Sequence, residues 1–294
     1  MKNQKVALVL SGGGARGIAH IGVIEELLKR GVEITSVTGT SMGAVVGAMY
    51  ALGKLDDFKQ WMLTLDKLKV FNLVDFAFSS QGLIKGDRVF NALREFMDDE
   101  PIESLDIPYA AVAVDLRSKK EIVFREGSVF KALRASVAIP TVITPVEMNG
   151  WLLVDGGVLN NIPVNHAART DGDRLIAVNV NADIPLHRPQ HQEAVARENE
   201  SVYRQKIREF YEELRSIRDE DEDDDLSYFD LMNSTIALMT QRIAQSVLEK
   251  HPPDLLIEIS KQSCAVFDFY RAEELVEMGR EAVVQALDQK EQSR

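Results

Sequence analysis

Gly39-Thr40-Ser41-Met42-Gly43 reads Gly-x-Ser-x-Gly and sits between two recognisable elements. The strand-like run Ile34 to Thr38 leads into it, and a small-residue helical pattern, Ala44 to Leu52, leads out. In that setting the pentapeptide predicts a nucleophile elbow, with a serine on a sharp strand-to-helix turn. Gly39 and Gly43 give the turn its backbone freedom and let strand and helix approach. A serine hydroxyl there is exposed at a strand's carboxyl end, close to a helix N-terminus, which suits attack on a carbonyl.

Two further stretches could complete such chemistry. Asp155-Gly156-Gly157 follows the strand-like run Trp151 to Val154, so Asp155, like Ser41, stands at a strand end, where open α/β sheets place their sites. Ser11-Gly12-Gly13-Gly14-Ala15-Arg16-Gly17 follows the apolar run Lys5 to Leu10 and precedes an amphipathic pattern through Ile21, Ile24, Leu27 and Leu28. Gly12, Gly14 and Gly17 fit Gly-x-Gly-x-x-Gly. A dinucleotide site would also need an acidic residue ending the second strand. Gly39-Thr40-Ser41 stands there instead, so the loop reads as backbone N–H groups beside a nucleophile, as an oxyanion hole requires. Arg16 adds a positive charge suited to a phosphate head group, or is a helix-surface arginine.

These residues must be carried by alternating strands and helices, which predicts an α/β protein with a mainly parallel sheet. Lys54 to Lys69 predicts an amphipathic helix, and Asp87 to Met97 another. Phe71 to Ile84, irregular and aromatic, reads as a lid or acyl-binding flap, or as a loop plugged into the core. Tyr109 to Leu116 pairs with Glu121 to Phe124 as a hairpin. Val146 to Met148 pairs with Trp151 to Val154 across Asn149-Gly150. Val129 to Ser136 is helical, and Leu175 to Val180 and Leu255 to Ile259 are strands.

The chain has 294 residues, 45% of them apolar, and a formal charge of −12. That charge argues against a nucleic-acid partner and against electrostatic docking on strongly anionic membranes. Seven of the acids form one run, Asp219 to Asp225, without which the balance is −5. Such a run reads as a solvated loop rather than a metal site. The one cysteine, Cys264, excludes an intrachain disulfide. Val6 to Leu10 is too short for a signal-peptide core, and the uncharged stretch Ile34 to Gly53 reads as buried strand, elbow and helix, so a cytoplasmic protein is expected.

The chain resembles the bacterial patatin-like phospholipases. Four blocks carry the resemblance in order: Ser11 to Gly22, Gly39 to Gly43, Arg134-Ala135-Ser136-Val137-Ala138-Ile139-Pro140, and Asp155-Gly156-Gly157-Val158 with Asn160-Asn161-Ile162-Pro163-Val164. Leu275 to Gly279 resembles the family's C-terminal helix. Thr141-Val142-Ile143 departs from it, which bears on pocket shape. The resemblance implies a three-layer α/β/α fold in one domain spanning 1–294, with a core over 5–180 and a C-terminal strand and helix over 254–288. It implies Ser41 as nucleophile and Asp155 as its base. Amides of Gly12, Gly13, Gly14 and Met42 would form the oxyanion hole, and Arg16, Gly17, Gly39, Gly43, Gly156 and Gly157 would support the motifs. Phospholipid, lysophospholipid or another acyl ester is the implied substrate, with no metal or organic cofactor.

The stretch 190–250 is the least family-like and reads as a helical insertion with an acidic tip. Tyr203, Ile207, Phe210, Leu214 and Ile217 form one apolar seam. Phe229, Met232, Ile236, Met239, Ile243 and Val247 form another. These suit a helical pair packed on the main domain, or a protrusion for dimerisation or transient membrane contact. The acidic tip favours dimerisation of those two. Two functions follow: a serine acyl-ester hydrolase, or a lipid-responsive regulatory or adaptor protein that keeps the fold. The intact serine, aspartate and glycine loop favour the first. A Ser–Asp–His triad would place histidine after Asp155. His166, His187, His191 and His251 follow it, but none lies in a loop just after a strand, and His20 reads as support for the glycine loop.

Overall fold

A computed structural model describes residues 3–73, 86–95, 97–186 and 228–292. The acidic run 219–225, the first apolar seam at 203–217 and most of the expected flap over 71–84 lie outside the described residues. Among those described, eight strands form one sheet, linked by hydrogen-bonded pairs along the path β5-β6-β3-β2-β1-β7-β8, with β4 also paired to β3. The strands are β1 (Lys5–Leu10), β2 (Glu33–Thr40), β3 (Tyr109–Asp115), β4 (Lys120–Phe124), β5 (Val146–Met148), β6 (Trp151–Asp155), β7 (Arg174–Ala182) and β8 (Leu255–Ser260). β1, β2, β3, β7 and β8 run parallel; β4, β5 and β6 join antiparallel.

Alternate side chains along the parallel strands enter two different cores, as a buried sheet requires. Leu8, Leu10, Val37, Ile176, Val178 and Ile257 face one way. They pack against α1 (Ala19–Lys29), α2 (Met42–Ala51), α6 (Val129–Ser136) and α8 (Ala272–Gln292). Ala7, Val9, Leu175 and Ala177 face the other way, against Ile162, Val164 and the last turns of α7 (Tyr228–Lys250). This is the three-layer α/β/α arrangement, with unequal outer layers. α3 (Leu55–Leu63), α4 (Lys67–Leu73) and α5 (Asp87–Leu93) extend the first layer.

The helix expected over Lys54 to Lys69 is two. Asp66 accepts the Lys69 amide at 2.8 Å, which caps α4 and restarts the chain in a new direction, with Leu65 buried at the joint. The helix expected from Asp87 ends at Leu93 rather than Met97. The uncharged stretch 34–53 is β2, the turn at Ser41 and α2.

α2 crosses very close to the ends of β1 and β2. A Cβ on Gly43 would lie 2.3 Å from the Leu10 carbonyl oxygen, and one on Gly39 would lie 2.5 Å from the backbone of Gly43 and Ala44. The obstructing atoms are backbone, so no rotamer change relieves them. Gly43→Ala is expected to destabilise the fold by about 3 kcal/mol, measured by urea denaturation; a variant as stable as the parent would contradict this crossing.

Candidate active site

Register along β3 explains how Ser41 and Asp155 meet. β4 pairs with Ala111 to Asp115 along one edge of β3, overlapping the partners of both β2 and β6. β2 pairs with Tyr109 to Val112, and β6 with Ala113 to Asp115, so these two must share the other edge. They approach head to head: Thr40 lies opposite Val112 and Asp155 opposite Ala113. Adjacent positions on one strand thus bring the end of β2 and the end of β6 together. The chain leaves β2 into Ser41 at the point where Asp155 arrives.

Ser41 has φ 54° and ψ −126°, a backbone region that side-chain-bearing residues avoid. Its amide donates to the Ser136 hydroxyl at 2.9 Å, and that hydroxyl donates to the Val112 carbonyl at 2.7 Å. Ser136 is fully buried and bridges the elbow to β3. The Ser41 carbonyl accepts from Val45, the first bond of α2.

Asp155 is buried. Its carboxylate accepts the Gly157 amide at 2.7 Å, and its own amide donates to the Ala138 carbonyl at 2.9 Å. Burial pushes its pKa up to about 6, while hydrogen bonds from the Ser41 side chain and the Gly157 amide pull the other way. Gly156 packs against the Val112 carbonyl under this turn.

The glycine loop crosses the carboxyl ends of β1 and β7. Ser11 anchors it: its amide reaches Val178, its hydroxyl accepts from Val180, and its carbonyl accepts from His20 Nε2 at 2.8 Å. His20 is fully buried, and burial lowers its pKa to about 4, so it is neutral at physiological pH. The Gly12 amide donates to the Asn161 carbonyl at 3.1 Å, and the Gly12 carbonyl accepts from Asn181 Nδ2 at 2.6 Å. Gly12, which the sequence reading grouped with the oxyanion donors, therefore has its N–H already engaged. The amides of Gly13, Gly14 and Met42 have no protein acceptor among the described residues. Gly14 takes φ 56°, which turns the loop there. Gly17 lies against the Met42 side chain.

Arg16 does not serve as a surface charge. Its Nε and Nη2 donate to Asn181 Oδ1 at 3.1 and 2.8 Å, and its Nη1 to the Cys264 carbonyl at 3.0 Å. It ties the loop to the end of β7 and to the segment after β8. The Cys264 thiol is buried and pushed up to about 12, chiefly by burial.

A cavity of about 130 Å³ opens beside Ser41. Gly14, Ser41 and Met42 line it together with apolar side chains that include Val45, Phe58, Trp61, Leu73, Phe90 and Ile139. Leu73, the last residue of α4, belongs to its wall.

Sequence reasoning missed how the segment after Asp155 is fixed. Ser36, Thr38 and Thr40 alternate along one face of β2. Their hydroxyls donate to the carbonyls of Ala168, His166 and Asn160 at 2.6, 3.4 and 2.9 Å. Three hydroxyls at period two inside a buried strand were the available signal. His166 Nε2 meets Glu121 at 2.6 Å and His251 is exposed at the end of α7, so neither joins the Ser41–Asp155 pair; His187 and His191 lie outside the described residues.

The family model described as patatin-like phospholipase matches residues 8–168. An uncharacterized NTE family protein of Mycobacterium tuberculosis (strain ATCC 25618 / H37Rv) is 34% identical over 331 residues, covering 97% of this chain and 92% of that one. Patatin-like phospholipase domain-containing protein 6 of Mus musculus is 31% identical over 187 residues, covering 61% of this chain and 14% of the mouse protein. The solved structure of VipD from Legionella pneumophila covers 98% of this chain and 67% of its own at 15% identity, with a TM-score of 0.47.

Two outcomes follow from this geometry. Ser136→Ala leaves the buried Ser41 amide without its acceptor, at a cost of about 1–3 kcal/mol. It is expected to lower kcat more than it raises KM; unchanged kcat would show that the bridge does not position the serine. For Asp155, the folded pKa near 6 lies above the ordinary value of 3.8. Ionisation therefore costs the folded state, by on the order of 3 kcal/mol above pH 6, and the cost fades as pH falls from about 6 to below 4. Asp155→Asn should melt at a higher temperature than the parent at pH 8, with the difference shrinking by pH 4. A variant less stable at pH 8 would contradict the burial account.

Proposed function

The chain belongs to the patatin-like phospholipase family, and from that premise we propose that it is a serine acyl-ester hydrolase of the phospholipase A or lysophospholipase type, working through a Ser41–Asp155 dyad. The observation that carries this reading is the head-to-head register of β2 and β6, which brings hydroxyl and carboxylate together at the apolar cavity.

In the reaction, Ser41 Oγ attacks the ester carbonyl carbon as its proton passes to Asp155. The carbonyl oxygen becomes an oxyanion and accepts hydrogen bonds from the Gly13, Gly14 and Met42 amides, the last at the N-terminus of α2. Collapse of the tetrahedral adduct breaks the bond to the leaving oxygen, which takes the proton back from Asp155 and departs as a lysolipid or alcohol. Water then attacks the acyl-serine with Asp155 again taking a proton, and a second collapse returns that proton to Ser41 and releases the fatty acid. An ordinary carboxylate, with pKa near 4, is a weak base for a serine. A buried one near 6 lies closer to the working pH, and proton transfer concerted with attack reduces the demand further. The apolar cavity excludes water from the acyl chain and accommodates it.

The test is turnover of a phospholipid panel and a water-soluble ester by purified protein. Ser41→Ala and Asp155→Asn are each expected to lower kcat by about 10³-fold or more, while His166→Ala, His187→Ala, His191→Ala and His251→Ala keep most activity. A fluorophosphonate probe should label Ser41. A histidine variant as inactive as Ser41→Ala would make this a triad enzyme, and labelling that survives Ser41→Ala would remove the serine from its role.

A further inference from the structure

α7 carries two opposed apolar stripes, only one of which is used. Ala244, Val247 and Leu248 pack on the sheet. In the other half of the helix, Leu231, Met232, Leu238 and Met239 are 56%, 37%, 68% and 58% exposed. At about 100° per residue these four fall within one sector of about 120°, on the opposite side of the helix from the packed stripe. Residues 231–241 contain no charge, and Asp230 and Arg242 bracket them.

Topology places the exposed half at the active-site edge. α7 ends at Lys250, and Asp254 joins the start of β7 through its amide to the Leu175 carbonyl at 2.8 Å. The helix therefore finishes at the amino edge of the parallel strands and runs antiparallel to them. Its 23 residues span about 34 Å, whereas the six residues of β8 span about 20 Å. The excess extends beyond the carboxyl edge, where Ser41 stands. Partway along, the helix contacts the turns at Gly156–Val158 and Val164–His166.

We propose that the outward stripe of α7 seats the protein on an uncharged or zwitterionic lipid surface, with the Ser41 edge toward the lipid. The proposal rests on the acyl-hydrolase reading for its purpose but not for its measurement. A lipid surface fits better than a second copy of the chain for two reasons. Four side chains on three turns bury far less than the roughly 800 Å² per partner of a stable interface. Two copies would each bring a charge of −12. An uncharged bilayer does not repel that charge, whereas anionic lipid does. An apolar helical face of this kind inserts to the headgroup boundary without crossing, and no described helix is long and apolar enough to span a membrane.

The experiment uses the full chain, phosphatidylcholine vesicles and the same vesicles doped with phosphatidylserine. Wild type should co-sediment with the zwitterionic vesicles, insensitively to salt, and less well with the doped ones. Leu238→Glu with Met239→Glu, and separately Leu231→Glu with Leu238→Glu, should lower partitioning by at least 10-fold and leave hydrolysis of a water-soluble ester unchanged. Both pairs are exposed, so two independent variants that fold and fail to bind identify the stripe. No partitioning by wild type, variants that bind as well as wild type, or binding only to anionic vesicles would each overturn the proposal. So would light scattering that shows a wild-type dimer turned monomeric by either pair. Vesicle binding without turnover of any ester would keep the docking surface and remove the hydrolase reading.

Discussion

The backbone of Ser41, held at φ 54° and ψ −126°, is the constraint on which the rest of the site depends. A side-chain-bearing residue stays in such a conformation only where its surroundings over-determine it. Here they do so from three directions. β2 feeds the turn from below, the Ser136 hydroxyl takes the Ser41 amide, and α2 begins at once with its first bond to the Ser41 carbonyl. The same crossing leaves no room at Gly39 and Gly43, where any side chain would strike backbone. Strain at Ser41 and tight packing beneath it are one structural fact seen from two sides.

The unequal layers of the sheet follow from what each must do. The larger helical side supplies an apolar body and the cavity beside Ser41. On the other side the segment after Asp155 is fastened to β2 by Ser36, Thr38 and Thr40, and it also carries Asn160 and Asn161. Asn161 reaches the glycine loop through Gly12, and Asn181 reaches it from β7 and meets Arg16. The Ser41 turn, the Asp155 turn and the glycine loop are therefore cross-linked by buried hydrogen bonds, whose partial loss would be costly. His20, neutral and enclosed, contributes a donor to Ser11 rather than a titrating group.

Much of this was legible in the sequence, for physical reasons. The elbow could be read because its glycines and the change from strand to helix pattern are local. The parallel sheet could be read from alternating apolar runs. The meeting of Ser41 with Asp155 could be anticipated from two strand ends and from the resemblance, but the register that achieves it could not, because it depends on two strands sharing one edge of β3 and joins residues more than a hundred positions apart. The engaged amide of Gly12 was hidden for the same reason, since its partner Asn161 is distant in sequence. The break at Asp66 was present as a capping residue inside an amphipathic run, but periodicity alone overrode it. The apolar seam on α7 was visible as a pattern, but which of its faces the sheet would cover depended on the direction of the helix.

The account makes Asp155, acting directly and with a pKa near 6, the group that activates Ser41. The most direct measurement is the rate at which a fluorophosphonate modifies Ser41 as a function of pH, in wild type and in Asp155→Asn. The account predicts a single ionisation near pH 6 in wild type, with the rate falling below it, and a slow, pH-independent rate in the variant. The same ionisation persisting in Asp155→Asn would contradict it.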